Sequence, residues 1–281
     1  MDSLAPRFVP LPPPPAWRMG EAGRLLAVMG ATPRTARLVL PEYADGSISE
    51  LTWWDAGSIV PLRVEVFARH GKVGEGSLVG VERRSVDGCP AWPSAELRSP
   101  SGEPTAPWKA GFTAGRAVAV PLDSIETLAA PDSAVRAAEV ARLASGAPND
   151  TAGAFRGVPY VVRAAREFQV DENVRGLVAL VVRRMAIEAN PLQEHLFMIA
   201  ESPADTPRAT WRLAYTERVV GPEETVETVE VLAGVRLGSA GRLTLVLGRD
   251  HGDGTTYSLV ERAGAGRWVL RWSSAYVESE C

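Results

Sequence analysis

The chain has 281 residues, 46% of them hydrophobic, which is enough to bury a core and is more typical of two domains than of one. A net charge of -4 without a clustered basic stripe argues against a protein that holds nucleic acid by charge neutralisation. No stretch approaches the roughly 18 consecutive apolar residues of a membrane-spanning helix, so the sequence predicts no transmembrane segment.

Residues 1–20 are predicted to form a Pro-rich extended leader. Residues 12 to 15 are consecutive prolines, which favour polyproline II, a conformation without internal hydrogen bonds. No basic stretch precedes an apolar one here, so we expect no signal peptide within this sequence. The leader could serve as a ligand for an SH3-like domain, but we interpret it as a spacer.

Residues 21–122 are predicted to form a small N-terminal β domain. Short apolar runs are separated by turn-forming pairs such as Asp45-Gly46 and Asp87-Gly88, which is typical of small antiparallel strands. The runs are residues 25–29, 36–40, 59–68, 77–83 and 117–120. Between residues 91 and 111 lie four prolines together with Trp92 and Trp108, so we expect a long surface loop held down by its aromatic rings.

Residues 123–150 change character and predict a helical connector with a linker. Asp123 or Ser124 is a candidate N-cap for a short helix, and a second helix is expected over residues 134–145, ending before Gly146. Residues 146–150 contain Gly, Pro, Asn and Asp, which is typical of a linker. The sequence therefore places a domain boundary there.

Residues 151–281 are predicted to form a C-terminal antiparallel β domain. Apolar residues alternate with polar ones, as in Leu243, Leu245 and Leu247, which indicates sheets with one buried face. Residues 177–182 are apolar on both faces and predict a central strand. The expected strands are residues 158–168, 174–187, 194–201, 210–220, 225–237, 242–248, 255–262 and 267–276. Short links, including Gly221-Pro222-Glu223, favour a meander, and the fold class is mainly β with the C-terminal sheet curved or barrel-like.

The two cysteines, Cys89 and Cys281, are candidates for one long-range disulfide. Such a bond would close a very long loop, worth about 4 to 5 kcal/mol in the chain-entropy description, and would imply an oxidising compartment. The alternative is two unrelated thiols. The expected localisation is therefore extracytoplasmic, either periplasmic or secreted, with the cytoplasm as the alternative. Richness in Ala, Arg, Gly and Pro is typical of a bacterial protein.

Residues that could perform catalysis are few. The three histidines, His70, His195 and His251, are far apart in sequence, and Glu194 next to His195 should point to the opposite face of a strand. Residues 249–256 superficially resemble a calcium loop, but strands are expected on both sides, so a hairpin turn is favoured. We find no nucleophile elbow, P-loop or dinucleotide fingerprint, although a triad assembled from distant residues stays open. We therefore assign no catalytic residue, no metal site and no cofactor.

Tryptophans are the candidate binding residues of the N-terminal half. Trp53, Trp54, Trp92 and Trp108 could stack on a sugar or anchor a partner protein, because an indole gives a large contact area at low entropic cost. The alternative is that they plug the open end of a small sheet. On the C-terminal strands, three further tryptophans fit a buried face: Trp211, Trp268 and Trp272.

These observations favour a non-enzymatic extracytoplasmic β-rich binding or assembly module that takes a partner protein or a surface glycan. It could be a subunit of a larger bacterial envelope complex. The alternative is a hydrolase-type enzyme with a site near His195 or His251. We expect no nucleic-acid partner.

Overall fold

The computed structural model describes residues 17–41, 61–82, 92–102, 106–148, 155–185, 191–205 and 210–278. The chain is mainly β, with antiparallel pairing throughout these ranges and a small helical connector, so the predicted fold class is confirmed. Within these ranges, no helix combines the length and the apolar character needed to cross a membrane. Four of the candidate residues lie outside the described residues: Trp53, Trp54, Cys89 and Cys281.

A short helix, α1 (Met19–Ala22), leads into a closed barrel of six antiparallel strands in the order β1-β2-β5-β4-β3-β6. The strands are β1 (Leu26–Met29), β2 (Thr35–Val39), β3 (Leu62–Ala68), β4 (Gly71–Glu82), β5 (Ser94–Arg98) and β6 (Ala110–Thr113). Closure joins β6 to both β1 and β3, so the barrel has no free edge.

Two of these strands lie where the sequence predicted a surface loop, so that prediction was wrong. Pro93 and Pro100 stand just outside β5 and leave its hydrogen bonds intact, which is where a strand tolerates proline. Trp92 and Trp108 are buried in the barrel core at 5% and 0% exposure. Trp108 also donates from Nε1 to the carbonyl of Pro33 at 2.9 Å. The packing alternative therefore describes these two tryptophans.

The connector leaves the barrel through two short strands, β7 (Ala117–Val120) and β8 (Asp123–Ser124), and a 3-10 helix (Ile125–Thr127). Ser124 caps that short helix as expected, since its Oγ accepts from the backbone N–H of Glu126 at 3.3 Å. The longer helix, α2 (Ala130–Ser145), ends at the predicted residue but begins four residues early, with proline in its first turn.

All eight strands predicted for the C-terminal part are present. They are β9 (Val161–Asp171), β10 (Val174–Met185), β11 (Leu192–Pro203), β12 (Arg212–Pro222), β13 (Thr228–Leu237), β14 (Arg242–Asp250), β15 (Gly254–Gly264) and β16 (Arg267–Ser273). The last strand, β17 (Val277–Glu278), pairs with β15. The turn at residues 250–254 is the predicted hairpin, in which Asp250 accepts from the N–H of Gly252 at 2.8 Å.

The eight strands form two meanders that belong to separate sheets. The first sheet has the order β12-β11-β10-β9-β8, and the second has the order β16-β15-β14-β13-β7. The link after Pro222 was expected to join a paired hairpin, but β12 and β13 lie in different sheets. Pro222 has no N–H with which to extend a ladder, and its carbonyl instead accepts from the N–H groups of Thr225 and Val226.

Four layers are stacked in the order α2, first sheet, second sheet, barrel. On β10, Leu177 packs toward α2 while Val178 packs toward the second sheet, so this strand is buried on both faces as predicted. On β14, Leu245 packs toward the first sheet while Val246 belongs to the barrel-side core. The second sheet is thus covered on both faces.

A bulge in β16 reverses the face of Trp272. Leu259 pairs with Trp272 while the next residue, Val260, pairs with Leu270, which leaves Arg271 as an extra residue in the strand. Trp268 therefore packs between the two sheets, whereas Trp272 packs against the barrel. Its ring meets Trp17 edge-on, with 4.8 Å between ring centroids.

Candidate functional site

A buried carboxylate ties the first sheet to the last hairpin of the second. Glu201, on β11, accepts from Arg262 at 2.8 and 3.0 Å and from Trp268 Nε1 at 2.8 Å. It also accepts from the backbone N–H of Gly266 at 3.0 Å. Burial by itself would raise the pKa of Glu201, but these donors hold it below its ordinary value. Each oxygen is used within the protein, so this cluster acts as a structural clamp.

His195 lies on the face of β11 that points into the space between the sheets. Its ring nitrogens are 2.9 Å from the backbone oxygen of Glu227 and 2.8 Å from Oε1 of Gln193. Burial holds the pKa of His195 below its ordinary value, and the hydrogen bond with Glu227 offsets only part of this effect. Both ring nitrogens thus lie within hydrogen-bond distance of oxygens of the protein.

His251 approaches a carboxylate, as the hydrolase alternative requires. Its Nδ1 lies 3.5 Å from Oε2 of Glu227, and its Nε2 lies 3.2 Å from Oγ1 of Thr256. The other oxygen of Glu227 accepts from Arg249 at 2.7 Å, and Arg249 also pairs with Glu217 at 2.5 Å. Burial lowers the pKa of Arg249, but the two glutamates more than offset this and leave it raised. Glu227 is therefore held as one member of an ion-pair network.

Glu194 points away from His195, as expected for adjacent strand residues. It is fully buried on the α2 side of the first sheet, 2.7 Å from Arg183 and 2.6 Å from the hydroxyl of Tyr160. Arg218 contacts the same carboxylate. A cavity of about 320 Å³ adjoins this group, and both arginines line it. Both arginines pair with Glu194, so one carboxylate faces two guanidinium groups beside this cavity.

A further surface feature lies where the barrel, the connector and the first sheet meet. We call it the junction groove, a cavity of about 340 Å³. The turn after β3 contributes Arg69, and the segment before β6 contributes Lys109. The connector contributes Ser124 and Thr127, and β9 contributes Arg166. The exposed His70 and Asp123 also line it, as do Ala68, Pro107, Trp108 and Leu122.

The cations of the junction groove differ in how they are paired. Arg69 donates from Nε to the carbonyl of Val231 at 2.7 Å and pairs with Glu230. Lys109 lies 3.2 Å from the same Glu230 carboxylate. Arg166 is half-buried, and no residue of the described ranges forms a hydrogen bond or an ion pair with its guanidinium.

Electrostatics at Arg166 agree with this geometry. Burial and the neighbouring positive charge of Arg69 lower the pKa of Arg166, while Glu126 and Glu230 offset only part of that effect. A guanidinium stays charged in proteins, so a negative group placed beside Arg166 would stabilise it. Arg166 is thus a candidate to meet an anionic ligand in the junction groove.

A second cavity of about 190 Å³ shares Arg69 and Arg166 with the junction groove, and Glu230 also lines it. We call it the inter-sheet cleft, because β9, β10 and β11 line it on one side and β13 lines it on the other. Ala164 faces the second sheet but is exposed, which shows that the two sheets diverge here. The cleft therefore opens beside the guanidinium of Arg166.

Arg69, Lys109 and Arg166 carry no local sequence signal that marks them as site residues. In the sequence, Arg166 differs from the exposed Arg163 only in what packs around it once the chain is folded. The candidates predicted from the sequence lie elsewhere, except that Trp108 and His70 line the groove. No signal in the sequence joins residues so far apart.

We infer function from the chemistry of the residues that form the junction groove, the inter-sheet cleft and the three internal polar networks. The charged side chains of the networks pair with one another, whereas the groove presents a cation, Arg166, without an ion pair among the described residues. No protein-family model matches the chain, and neither a curated protein nor a solved structure matches it.

Proposed function

We propose that this chain is a non-enzymatic binding or assembly module and that it engages its partner, a protein or a surface glycan, at the junction groove. The observation that carries the proposal is the half-buried Arg166 without an ion pair among the described residues. A partly desolvated cation is costly until a negative group pairs with it. Binding of an anionic group on the partner would remove that cost.

The other ionisable clusters favour binding over hydrolysis. Both ring nitrogens of His195 face protein oxygens, and the carboxylate nearest to His251 is held by Arg249. A general base needs a nitrogen or carboxylate that can reach a substrate proton. These histidines are therefore better explained as members of internal hydrogen-bond and ion-pair networks.

We further propose an extracytoplasmic location, as a subunit of a bacterial envelope complex. Its support is the pair Cys89 and Cys281, for which the sequence predicts one disulfide. Thiol titration of the purified, denatured protein should find no free thiol before reduction and two afterwards. Two free thiols before reduction, in protein produced in an oxidising compartment, would contradict the proposed bond.

The binding proposal is tested with the full chain and two arginine variants. Wild type, Arg166→Gln and Arg163→Gln are applied to an array of anionic and neutral glycans and to purified candidate envelope proteins. Arg163 lies on the same strand, is exposed, and lines neither cavity, so it controls for the loss of one charge. We expect Arg166→Gln to weaken binding about tenfold or more, since a desolvated charge pair is worth at least 1.4 kcal/mol. Equal binding by both variants would refute the groove as the site.

A further inference from the structure

The inter-sheet cleft is apolar except at its mouth. Its walls are the apolar side chains or the backbone of residues on four strands, among them Ala164, Val178, Leu180, Phe197, Val229 and Val231. The charged lining residues are Arg69, Arg166 and Glu230. The cavity thus offers an apolar interior that ends at a pair of guanidinium groups.

The size of the cleft limits what can enter it. An apolar cavity of about 150 Å³ takes up benzene, so a cavity of about 190 Å³ has room for an apolar group of about six carbon atoms. An aliphatic group of that size gains free energy when it leaves water for an apolar cavity. A branched aliphatic chain of about six carbons therefore matches the interior.

The charges at the mouth limit the headgroup. Glu230 already pairs with Arg69 and Lys109, so the cation left to meet a ligand is Arg166. One guanidinium matches one negative charge, and its parallel N–H groups fit the two oxygens of a carboxylate. A doubly charged phosphate would bring a second negative charge toward Glu230 and Asp123. The mouth therefore favours a monocarboxylate.

We propose that the junction groove and the inter-sheet cleft together bind a small monocarboxylic acid whose apolar group has about six carbon atoms. The carboxylate pairs with Arg166, and the aliphatic group enters the cleft between β9 and β13. This inference rests on the proposed function only in that both use Arg166. It adds a small-molecule ligand to a module proposed to bind a macromolecule.

Titration calorimetry with 5-methylhexanoate tests the assignment on the full chain at pH 7 and low salt. Two matched ligands separate the contributions, because 5-methylhexanamide lacks the charge and acetate lacks the aliphatic chain. We expect the acid to bind at least about tenfold more tightly than either one. Equal binding of the acid and the amide would overturn the proposal, as would failure of the acid to bind.

Three variants locate the binding. Arg166→Gln should weaken binding of 5-methylhexanoate about tenfold or more, and Arg163→Gln should leave it unchanged. Ala164→Leu places a larger side chain at an exposed position on the cleft wall, so it should block the acid without disturbing a buried core. Circular dichroism melting curves check that each variant is folded. Binding by Ala164→Leu equal to that of the wild type would place the ligand elsewhere.

Two further comparisons are needed. The first distinguishes a small acid from a protein C-terminus as the source of the carboxylate, and the second distinguishes this inference from the proposed function. A peptide that ends in Leu with a free carboxylate, if it binds much more tightly than 5-methylhexanoate, would replace the small acid with a protein C-terminus. If the acid does not bind while a macromolecular partner still depends on Arg166, this inference fails and the proposed function stands. If the acid binds and no array ligand or candidate protein depends on Arg166, the proposed function fails and this inference stands.

Discussion

Glu201 shows how a single buried residue can hold two sheets together. Its carboxylate lies on β11 of the first sheet, while Arg262 and Trp268 lie on β15 and β16 of the second. A buried charge that keeps its partners is tolerated, but removal of one partner leaves the other charge desolvated. Glu201 should therefore contribute to stability well beyond an ordinary surface ion pair.

We predict that Glu201→Gln lowers the free energy of unfolding by about 3 kcal/mol, because Arg262 loses its buried counter-charge and keeps only the more exposed Asp171. The control is Glu96→Gln, which removes an exposed pair with Arg98 and should cost less than about 1 kcal/mol. Urea unfolding followed by tryptophan fluorescence measures both values. Similar losses in the two variants would show that the clamp is not a stabilising element.

Glu201 should also make the stability of the folded protein depend on pH. The pKa of Glu201 in the folded protein lies below its ordinary value of 4.5, so the unfolded chain takes up the proton first as the pH falls. Its contribution is complete above pH 4.5 and is lost as the pH falls through the folded pKa. The stability difference between wild type and Glu201→Gln should therefore shrink below pH 4.5. A difference that stays constant down to acid unfolding would contradict the ionised carboxylate.

Among the elements, the contact between β7 and β13 depends on a glycine. Gly234 pairs with Val120, and a Cβ at this position would lie 2.7 Å from the carbonyl oxygen of Val120 and 2.9 Å from a methyl carbon of Leu122. That space is too small for a methyl group. An alanine here would push β7, the strand that links the barrel to the second sheet, away from its neighbour.

We predict that Gly234→Ala destabilises the protein by about 1 to 3 kcal/mol, the usual cost of overpacking. Gly264→Ala is the matched control, because nothing lies within 4 Å of a Cβ there. Thermal unfolding should show a lowered midpoint for Gly234→Ala and little change for Gly264→Ala. Indistinguishable midpoints would mean that β7 can move without cost.

Elements with local signals could be predicted from the sequence. The C-terminal strands combine period-two alternation with turn residues, and Ser124 and Gly146 mark helix ends, so these were found. Strand β5 was missed because its flanking prolines resemble a loop. The face of Trp272 depends on one bulged residue, Arg271, which reverses the alternation without a sequence signal.

At the scale of the whole molecule, the proposed binding site is formed by residues of several elements, so no single helix or strand defines it. The junction groove takes Arg69 from the barrel, Thr127 from the connector and Arg166 from the first sheet. Their distance in sequence explains why the sequence could not indicate the site. The second sheet, covered on one face by the barrel and on the other by the first sheet, fixes these parts relative to one another.

The most direct test of an Arg166-centred binding site is nuclear magnetic resonance of the labelled full chain during titration with 5-methylhexanoate. We expect the largest chemical-shift changes at the Arg166 Nε–Hε signal and at the backbone amides of Ala164 and Val231, which line the cleft. The Nε–Hε signal of Arg163 should not change. Shifts centred on Arg218 and Tyr160, beside the other cavity, or no shifts at saturating acid would contradict it.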